Sequence, residues 1–297
     1  MTVEFLPTAF AIPSLEHRVW ITGAGGLIGS ALLESAPAAV PAWKISGTTR
    51  RQVDLTHATA VEKMFYALRP TLIIHCAAMT NTPACDREPA QARAVNVDAT
   101  RRLVELAKGI RFVFLSTDLV FDGRDGGYDE TAAVNPLNFY AETKAEAERI
   151  VLLSPMHTVI RTSLNGGMSP SGDRGFNETM RRAWENGGMV TLFDDEFRSP
   201  IPAAVTARAL WEVLAQDRPG LYHIAGSERL SRWQIGQILA RRWRQFNPKL
   251  EHVSRLRYPG PPRPADTSLN CDKAQALLSF RLPGLTQWLA DHPNEVF

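Results

Sequence analysis

Three glycines, at positions 23, 26 and 29, stand directly behind the short apolar run Val19-Trp20-Ile21-Thr22 and ahead of a helix-forming stretch reaching about Glu34. A strand that turns at once into a helix through Gly-x-x-Gly-x-x-Gly leaves few folds open. Glycines at such a turn permit a tight bend, close approach of backbone to a pyrophosphate, and close packing of helix on strand. The amides at the helix N-terminus then face an anion. The spacing departs from Gly-x-Gly-x-x-Gly because position 28 is isoleucine. The alternative is a glycine-rich loop that holds nothing, and the strand before and helix after argue against it.

From there the chain keeps alternating. Trp43 to Gly47 reads as a second strand, followed by Thr48-Thr49-Arg50-Arg51. An acidic residue there would grip the ribose 2′-hydroxyl of NAD. None is present, and two arginines suit a 2′-phosphate, which favours NADP(H) over NAD(H). Solvated loop charges are the competing reading for both arginines. Asp54-Leu55 follows, where an acidic side chain would meet the adenine. Leu72-Ile73-Ile74-His75-Cys76-Ala77-Ala78 is a third strand running into small residues. Ala77 and Ala78 allow a cofactor close to the backbone, or simply tight helix–sheet packing. Cys76 reads as a small buried hydrophobe and His75 as structural. Pro89 opens a helix through about Ala107 that carries Asn96. Strand and helix in alternation predict a doubly wound parallel α/β sheet.

The fourth strand holds the chemistry. Phe112 to Leu115 is a continuous apolar run that ends in Ser116, Thr117 and Asp118. Ligands of open parallel sheets sit beyond the carboxyl ends of strands, so Thr117 is placed to meet one. Tyr140 and Lys144 then stand four apart, with no Gly or Pro after Tyr140 until Pro155. On a helix such residues share a face. A phenol near pKa ~10 exchanges protons poorly at neutral pH, and a nearby ammonium lowers that value. The pair thus suits proton transfer to an alkoxide, with Thr117 bonding the same oxygen. Alone, Tyr-x-x-x-Lys is an ordinary helical pair; the glycine turn gives it meaning.

Thr158 to Thr162 is a further strand, after which the pattern loosens. Asn165 to Gly172 is a loop by composition, ahead of a helix from about Gly175 to Glu185. Met189 to Phe193, a helix from about Ala204 to Ala215, a strand Leu221 to Ala225, and a helix capped by Ser231 and running to Arg244 follow. The stretch from Tyr258 to Pro264 is too rich in proline to be regular. This divides the chain into an N-terminal extension over 1–17, a cofactor-binding part over 18–162, and a mainly substrate-binding part over 163–297 with segments returning to the first. The extension lacks the basic start and long apolar core of a signal peptide. A net charge of +2 gives no ground for nucleic acid or membrane, and no apolar run spans a bilayer. Three sparse cysteines, with no zinc spacing, read as free thiols of a reducing, cytoplasmic compartment.

With these residues in place, the chain resembles the extended short-chain dehydrogenase/reductases, and within them the dTDP-4-dehydrorhamnose reductase family. The resemblance is carried by Thr22 to Gly29, His75 to Ala78, Ser116-Thr117-Asp118-Leu119-Val120-Phe121-Asp122-Gly123, Pro136 to Tyr140 with Lys144, Arg161-Thr162-Ser163, Gly220 to His223, and Arg263-Pro264 ahead of Asp272-Lys273. It spans about Val19 to Leu289. The Ser-Thr-Asp-x-Val-Phe-Asp-Gly segment is specific to this subgroup; the glycine and Tyr/Lys motifs define only the superfamily.

The resemblance implies a Rossmann sheet with a smaller C-terminal substrate part, and NADPH-dependent reduction of a 4-keto group on a nucleotide-linked deoxysugar. Tyr140 would give the proton, Lys144 would lower its pKa and hold the nicotinamide ribose, and Thr117 would orient the carbonyl. The cofactor would lie on Gly23, Gly26, Leu27, Ile28, Gly29, Arg50, Arg51, Asp54, Leu55, Cys76, Ala77, Ala78, Ser116, Tyr140 and Lys144. The substrate would meet Thr117, Asp118 and, at its diphosphate, Arg263. Family members often dimerise, so a homodimer is expected without an assigned surface; a magnesium ion at a dimer contact has no sequence signature, and no metal ligand is assigned. Leu119 stands where the family usually has Tyr, and Leu164-Asn165-Gly166 where it has Trp-Val-Tyr. Those aromatics line the sugar pocket, so the sugar stays unassigned. Ala147 replaces a usual Gly.

Two other readings stay open at this point. The chain also resembles the regulatory β subunit of methionine adenosyltransferase, which would bind NADP and a partner chain without turnover. A sugar-nucleotide epimerase would hold and regenerate its cofactor. A dehydratase is disfavoured, because no Asp-Glu pair follows Thr117.

Overall fold

The computed structural model describes residues 17–297; the expected irregular extension lies outside the described residues except for His17. Strands β1 (Arg18–Thr22), β2 (Lys44–Thr48), β3 (Leu72–His75), β4 (Arg111–Thr117) and β5 (Thr158–Thr162) alternate with helices that include α1 (Leu27–Ala39) and α2 (Ala58–Leu68). With the later strand Gly220–Ile224 they form one six-stranded sheet, in the order Gly220–Ile224, β5, β4, β3, β1, β2. Every pairing in it is parallel.

Side chains alternate across the sheet, which gives it two buried faces. Val19, Ile21, Ile74, Val113, Leu115 and Ile160 point to one face, where they pack with residues of α1 and of the helix Ala203–Ala215. Trp20, Ile73, Phe112, Phe114 and Val159 point to the other, against α2, the helix Ala99–Leu106 and the helix Phe139–Val151. Each apolar run is thus a strand because neither face meets water. The strand order reverses about β1, between β3 and β2. That opens a crevice at the carboxyl ends of β1 and β3, with β4 beside it.

A smaller core lies after β5. Met180 and Trp184 of the helix Phe176–Glu185, Ile235 and Leu239 of the helix Arg232–Arg242, and Trp243 and Trp288 gather there. Beside them Met189–Phe193 pairs in parallel with Lys249–Val253. Lys249–Val253 has no apolar run that would announce a strand. Its side chains are mostly outside the core, so it is a strand only because a partner is there. The helix α2 is a further element beyond those expected from the sequence. α1 runs past Glu34 to Ala39 with Pro37 inside it. The expected helix from Pro89 to about Ala107 is present and continuous to Leu106, with a wider π turn, Ala94–Asp98, between Pro89–Arg93 and Ala99–Leu106. No helix among the described residues is long and apolar enough to cross a membrane.

Candidate active site

The glycine turn is built by crowding. Gly23 has φ +72, and a Cβ there would stand 2.6 Å from the Ala77 nitrogen, so the loops after β1 and β3 nearly touch. A Cβ on Gly29 would stand 2.4 Å from the Gly23 carbonyl oxygen. Gly26 is the N-cap of α1 and brings no side-chain acceptor, and no acidic residue lies in the first turn. The first-turn amides, Leu27 and Ile28 among them, are therefore left for an anionic group from outside the chain.

A second feature fits a bound nucleotide cofactor. The Ser116 hydroxyl, at the end of β4, is buried and has no hydrogen-bond partner within the protein. A buried polar group without a partner is costly, so its partner is expected from a ligand. Arg50 and Arg51 stand exposed just beyond β2. Arg50 makes only a long contact, 3.3 Å, to Asp54. Asp54 itself accepts from the Thr56 hydroxyl at 2.7 Å and the Thr56 amide at 3.0 Å. These bonds hold its carboxyl below the usual range. Leu55 is buried in the sheet core, and its carbonyl accepts from Arg102.

The helix Phe139–Val151 begins at Asn138, whose side chain accepts from the Ala141 amide at 3.0 Å. That cap aims both chemical residues inward, and Tyr140 and Lys144 are 7% and 2% exposed. The Lys144 ammonium donates to the Leu115 carbonyl at 2.6 Å and lies 3.8 Å from the centre of the Phe114 ring. This ties the helix to β4. Burial pushes Lys144 down to about 7, while the charges of Glu148 and Cys76 hold it up. Burial pushes the Cys76 thiol up to about 12, so it is no nucleophile.

Tyr140 departs from expectation. Its phenol packs with Cys85, Ala92, Met79, Leu119 and Phe139. Burial pushes it above its ordinary value; a hydrogen bond with Thr117 pulls the other way, Asp118 and Cys85 add to the rise, and Arg198 opposes it. The sequence suggests acidification by Lys144. In the structure the phenol is raised, and the cation opposing that rise is Arg198.

Asp118, expected to meet the substrate, is held inside the protein. It is fully buried, and Arg198 grips both its oxygens, with Nε 2.5 Å from Oδ2 and Nη2 on Oδ1. Ser163, Thr267 and Thr117 hydroxyls also donate to it, at 2.6, 3.2 and 3.1 Å. It joins the end of β4 to the end of β5 and to the C-terminal part. Arg263 is likewise engaged: its Nη2 donates to Glu196 Oε1 at 2.9 Å and its Nε to Oε2. Glu196 is fully buried; against the penalty of burial, Arg263 and its neighbours hold it below the usual carboxylate range. The structure therefore gathers Ser116, Thr117, Tyr140, Lys144, Cys76 and the glycine turn, and spreads Arg50, Arg51 and Asp54 along the outer edge. It pairs Asp118 with Arg198 and Arg263 with Glu196. Asn138, Glu196 and Arg198 escape sequence reasoning. Asn138 carries a detectable signal, an Asx residue ahead of a helical stretch. Arg198 carries none, since its partner lies 80 residues away.

The chain matches the family model described as the RmlD substrate binding domain over residues 17–296. It is 28% identical over 281 residues to the dTDP-4-dehydrorhamnose reductase of Sinorhizobium fredii, covering 90% of this chain and 93% of that protein. It is also 28% identical to methionine adenosyltransferase 2 subunit beta of Bos taurus, covering 88% and 82%. Among solved structures, the dTDP-4-dehydrorhamnose reductase of Bacillus anthracis in complex with NADP superposes with a TM-score of 0.83 at 25% identity, covering 93% of this chain and 98% of that one.

Proposed function

Because the chain belongs to the RmlD substrate binding domain family, the dTDP-4-dehydrorhamnose reductase group of the extended short-chain dehydrogenase/reductases, we propose that it reduces the 4-keto group of a nucleotide-linked deoxysugar, using NADPH. The observation that carries the proposal is the pair of buried residues Tyr140 and Lys144 on one helix, which Lys144 ties to β4 by its bond to the Leu115 carbonyl just ahead of Ser116 and Thr117. When bound, NADPH supplies the hydride. The protein's own residues supply the rest. Tyr140, held above its ordinary value, stays protonated at neutral pH and keeps a proton to give. An alkoxide formed beside it is the stronger base and takes that proton. Thr117 turns its one hydroxyl proton from Asp118 to the carbonyl oxygen and holds that oxygen in line, and burial excludes water from the transfer.

Lys144, with an ammonium near its midpoint at neutral pH, holds the nicotinamide ribose in this reading. Ser116 gains the partner it lacks, and Arg50 and Arg51 take the 2′-phosphate that separates NADP from NAD. Leu119 packs against Tyr140 in place of an aromatic ring, so the sugar need not be the one reduced by the Sinorhizobium fredii relative. A homodimer is carried over from the family without an assigned face.

The direct test is NADPH absorbance loss with purified protein against a panel of nucleotide-linked 4-keto deoxysugars. Saturable oxidation of NADPH by one of them is expected, with NADH a poorer donor. NADPH binding without turnover of any sugar would defeat the proposal. That outcome would favour the second reading, a subunit of a larger assembly, which the Bos taurus likeness supports.

A further inference from the structure

Three arginines meet two carboxylates where the C-terminal part faces the end of β4. Arg198 is paired with Asp118 and Arg263 with Glu196, and Arg198 reaches Glu196 as well at 3.7 Å. Both acids are thus engaged by two of the cations. The third is Arg232, the first residue of the helix Arg232–Arg242. Its backbone amide donates to the Glu196 carbonyl at 2.9 Å. Among the described residues its guanidinium makes no hydrogen bond and no ion pair; its ring contact is Phe176, 4.9 Å away.

Arg232 is half-buried and, unlike its neighbours Arg198 and Arg263, is held by no carboxylate. Burial pushes Arg232 down to about 10; Glu196 opposes that, and Arg198 and Arg263 add to it. The corner therefore carries one positive charge more than the protein neutralises. It is linked to the end of β4 through Glu196, whose carbonyl takes the Arg232 amide and whose carboxylate Arg198 reaches, Arg198 in turn holding Asp118 beside Thr117. The loop before Phe176 reaches the glycine turn's helix: a Cβ on Gly167 would lie 3.5 Å from Leu27 Cδ1.

We infer that Arg232, flanked by Phe176, is a binding residue for an oxyanion of the substrate, taking the place that Arg263 is too firmly paired to fill. This rests on the nucleotide-sugar reading above. A planar guanidinium backed by an aromatic face binds phosphate or carboxylate through paired N–H donors. Two parts of a nucleotide-linked sugar offer that chemistry, the diphosphate and a carboxylate on the sugar ring.

The test is calorimetric binding of UDP, dTDP and UDP-glucuronate to the full chain without NADPH, for the parent, Arg232→Met and Arg232→Lys. Methionine keeps much of the stem packed on Phe176, and lysine keeps the charge. If the site reads an oxyanion, Arg232→Met weakens binding about 10- to 100-fold, as expected on losing a charge-assisted contact, and Arg232→Lys restores part of it. A loss seen already with UDP or dTDP assigns the diphosphate; a loss confined to UDP-glucuronate assigns the carboxylate. NADPH affinity, measured separately, stays within about twofold in a folded variant. Failure of the parent to bind any of the three, or equal binding by Arg232→Met, overturns the inference. Neither readout needs turnover, so a chain that binds these ligands through Arg232 yet reduces no sugar would defeat the proposed reaction and leave this site standing.

Discussion

Replacing Asp118 with asparagine keeps the side chain's shape and removes its charge. In the folded protein Asp118 is fully buried, with Arg198 on both oxygens and three hydroxyls donating to it. Asparagine can still accept from some of these donors, but the Arg198 cation would be left with only Glu196, 3.7 Å away and already held by Arg263. Removing one partner of such a buried pair costs about 3–5 kcal/mol, mostly the penalty of an uncompensated charge. For a chain of this size, with a urea slope of roughly 3 kcal/mol/M, the unfolding midpoint falls by roughly 1–1.7 M. The double variant Asp118→Asn, Arg198→Met removes the stranded cation as well. It should be no less stable than Asp118→Asn alone, and the two changes should be non-additive by about 2 kcal/mol or more. Urea unfolding followed by tryptophan fluorescence reads both. A loss under about 1 kcal/mol for the single variant, or simple additivity in the double, would refute the reasoning. If Asp118 touched substrate instead, the midpoint would hold and substrate binding alone would weaken.

Tyr140→Phe removes the proton and little else: turnover should fall by about 10²- to 10⁴-fold while NADPH still binds. Undiminished turnover would exclude the phenol as the acid. Lys144 is pushed down to about 7, so its charge is present on the acid side and lost as pH rises. If the ammonium holds the ribose, NADPH binds most tightly below about 7 and weakens above it, and binding raises the lysine's own value. A dissociation constant flat from about pH 6 to about pH 8.5, or one matched by Lys144→Met, would end that role. Arg50→Ala with Arg51→Ala should raise the KM for NADPH about 10- to 100-fold and leave NADH nearly unchanged, since only the 2′-phosphate contact is lost. Equal effects on both cofactors would return these arginines to solvent.

Much of the scaffold was legible because it is local. Val19 to Thr22, Leu72 to His75 and Thr158 to Thr162 declare themselves as strands by being apolar or β-branched at all positions but His75 and Arg161, as two buried faces favour. Gly23 announces a backbone that no Cβ can enter, and the four-residue step from Tyr140 to Lys144 places both on one helical face. Such features depend on a residue and its near neighbours in the chain. They marked the glycine turn, the end of β4 and the Tyr/Lys helix as one site.

What only the folded chain decided are the interactions between distant segments. Asp118 and Arg263 look like ligand contacts in one dimension, because nothing nearby opposes them. Arg198 and Glu196, 80 and 67 residues away from them, are what neutralise each one. The shift on Tyr140 is of the same kind: helical spacing brings Lys144 onto its face, but Lys144 bonds Leu115, and burial among Cys85, Ala92 and Leu119 raises the phenol. Whether a charge is free or paired, and whether a phenol is raised or lowered, depends on dielectric and on partners across the fold. Sequence spacing carries neither; packing sets both.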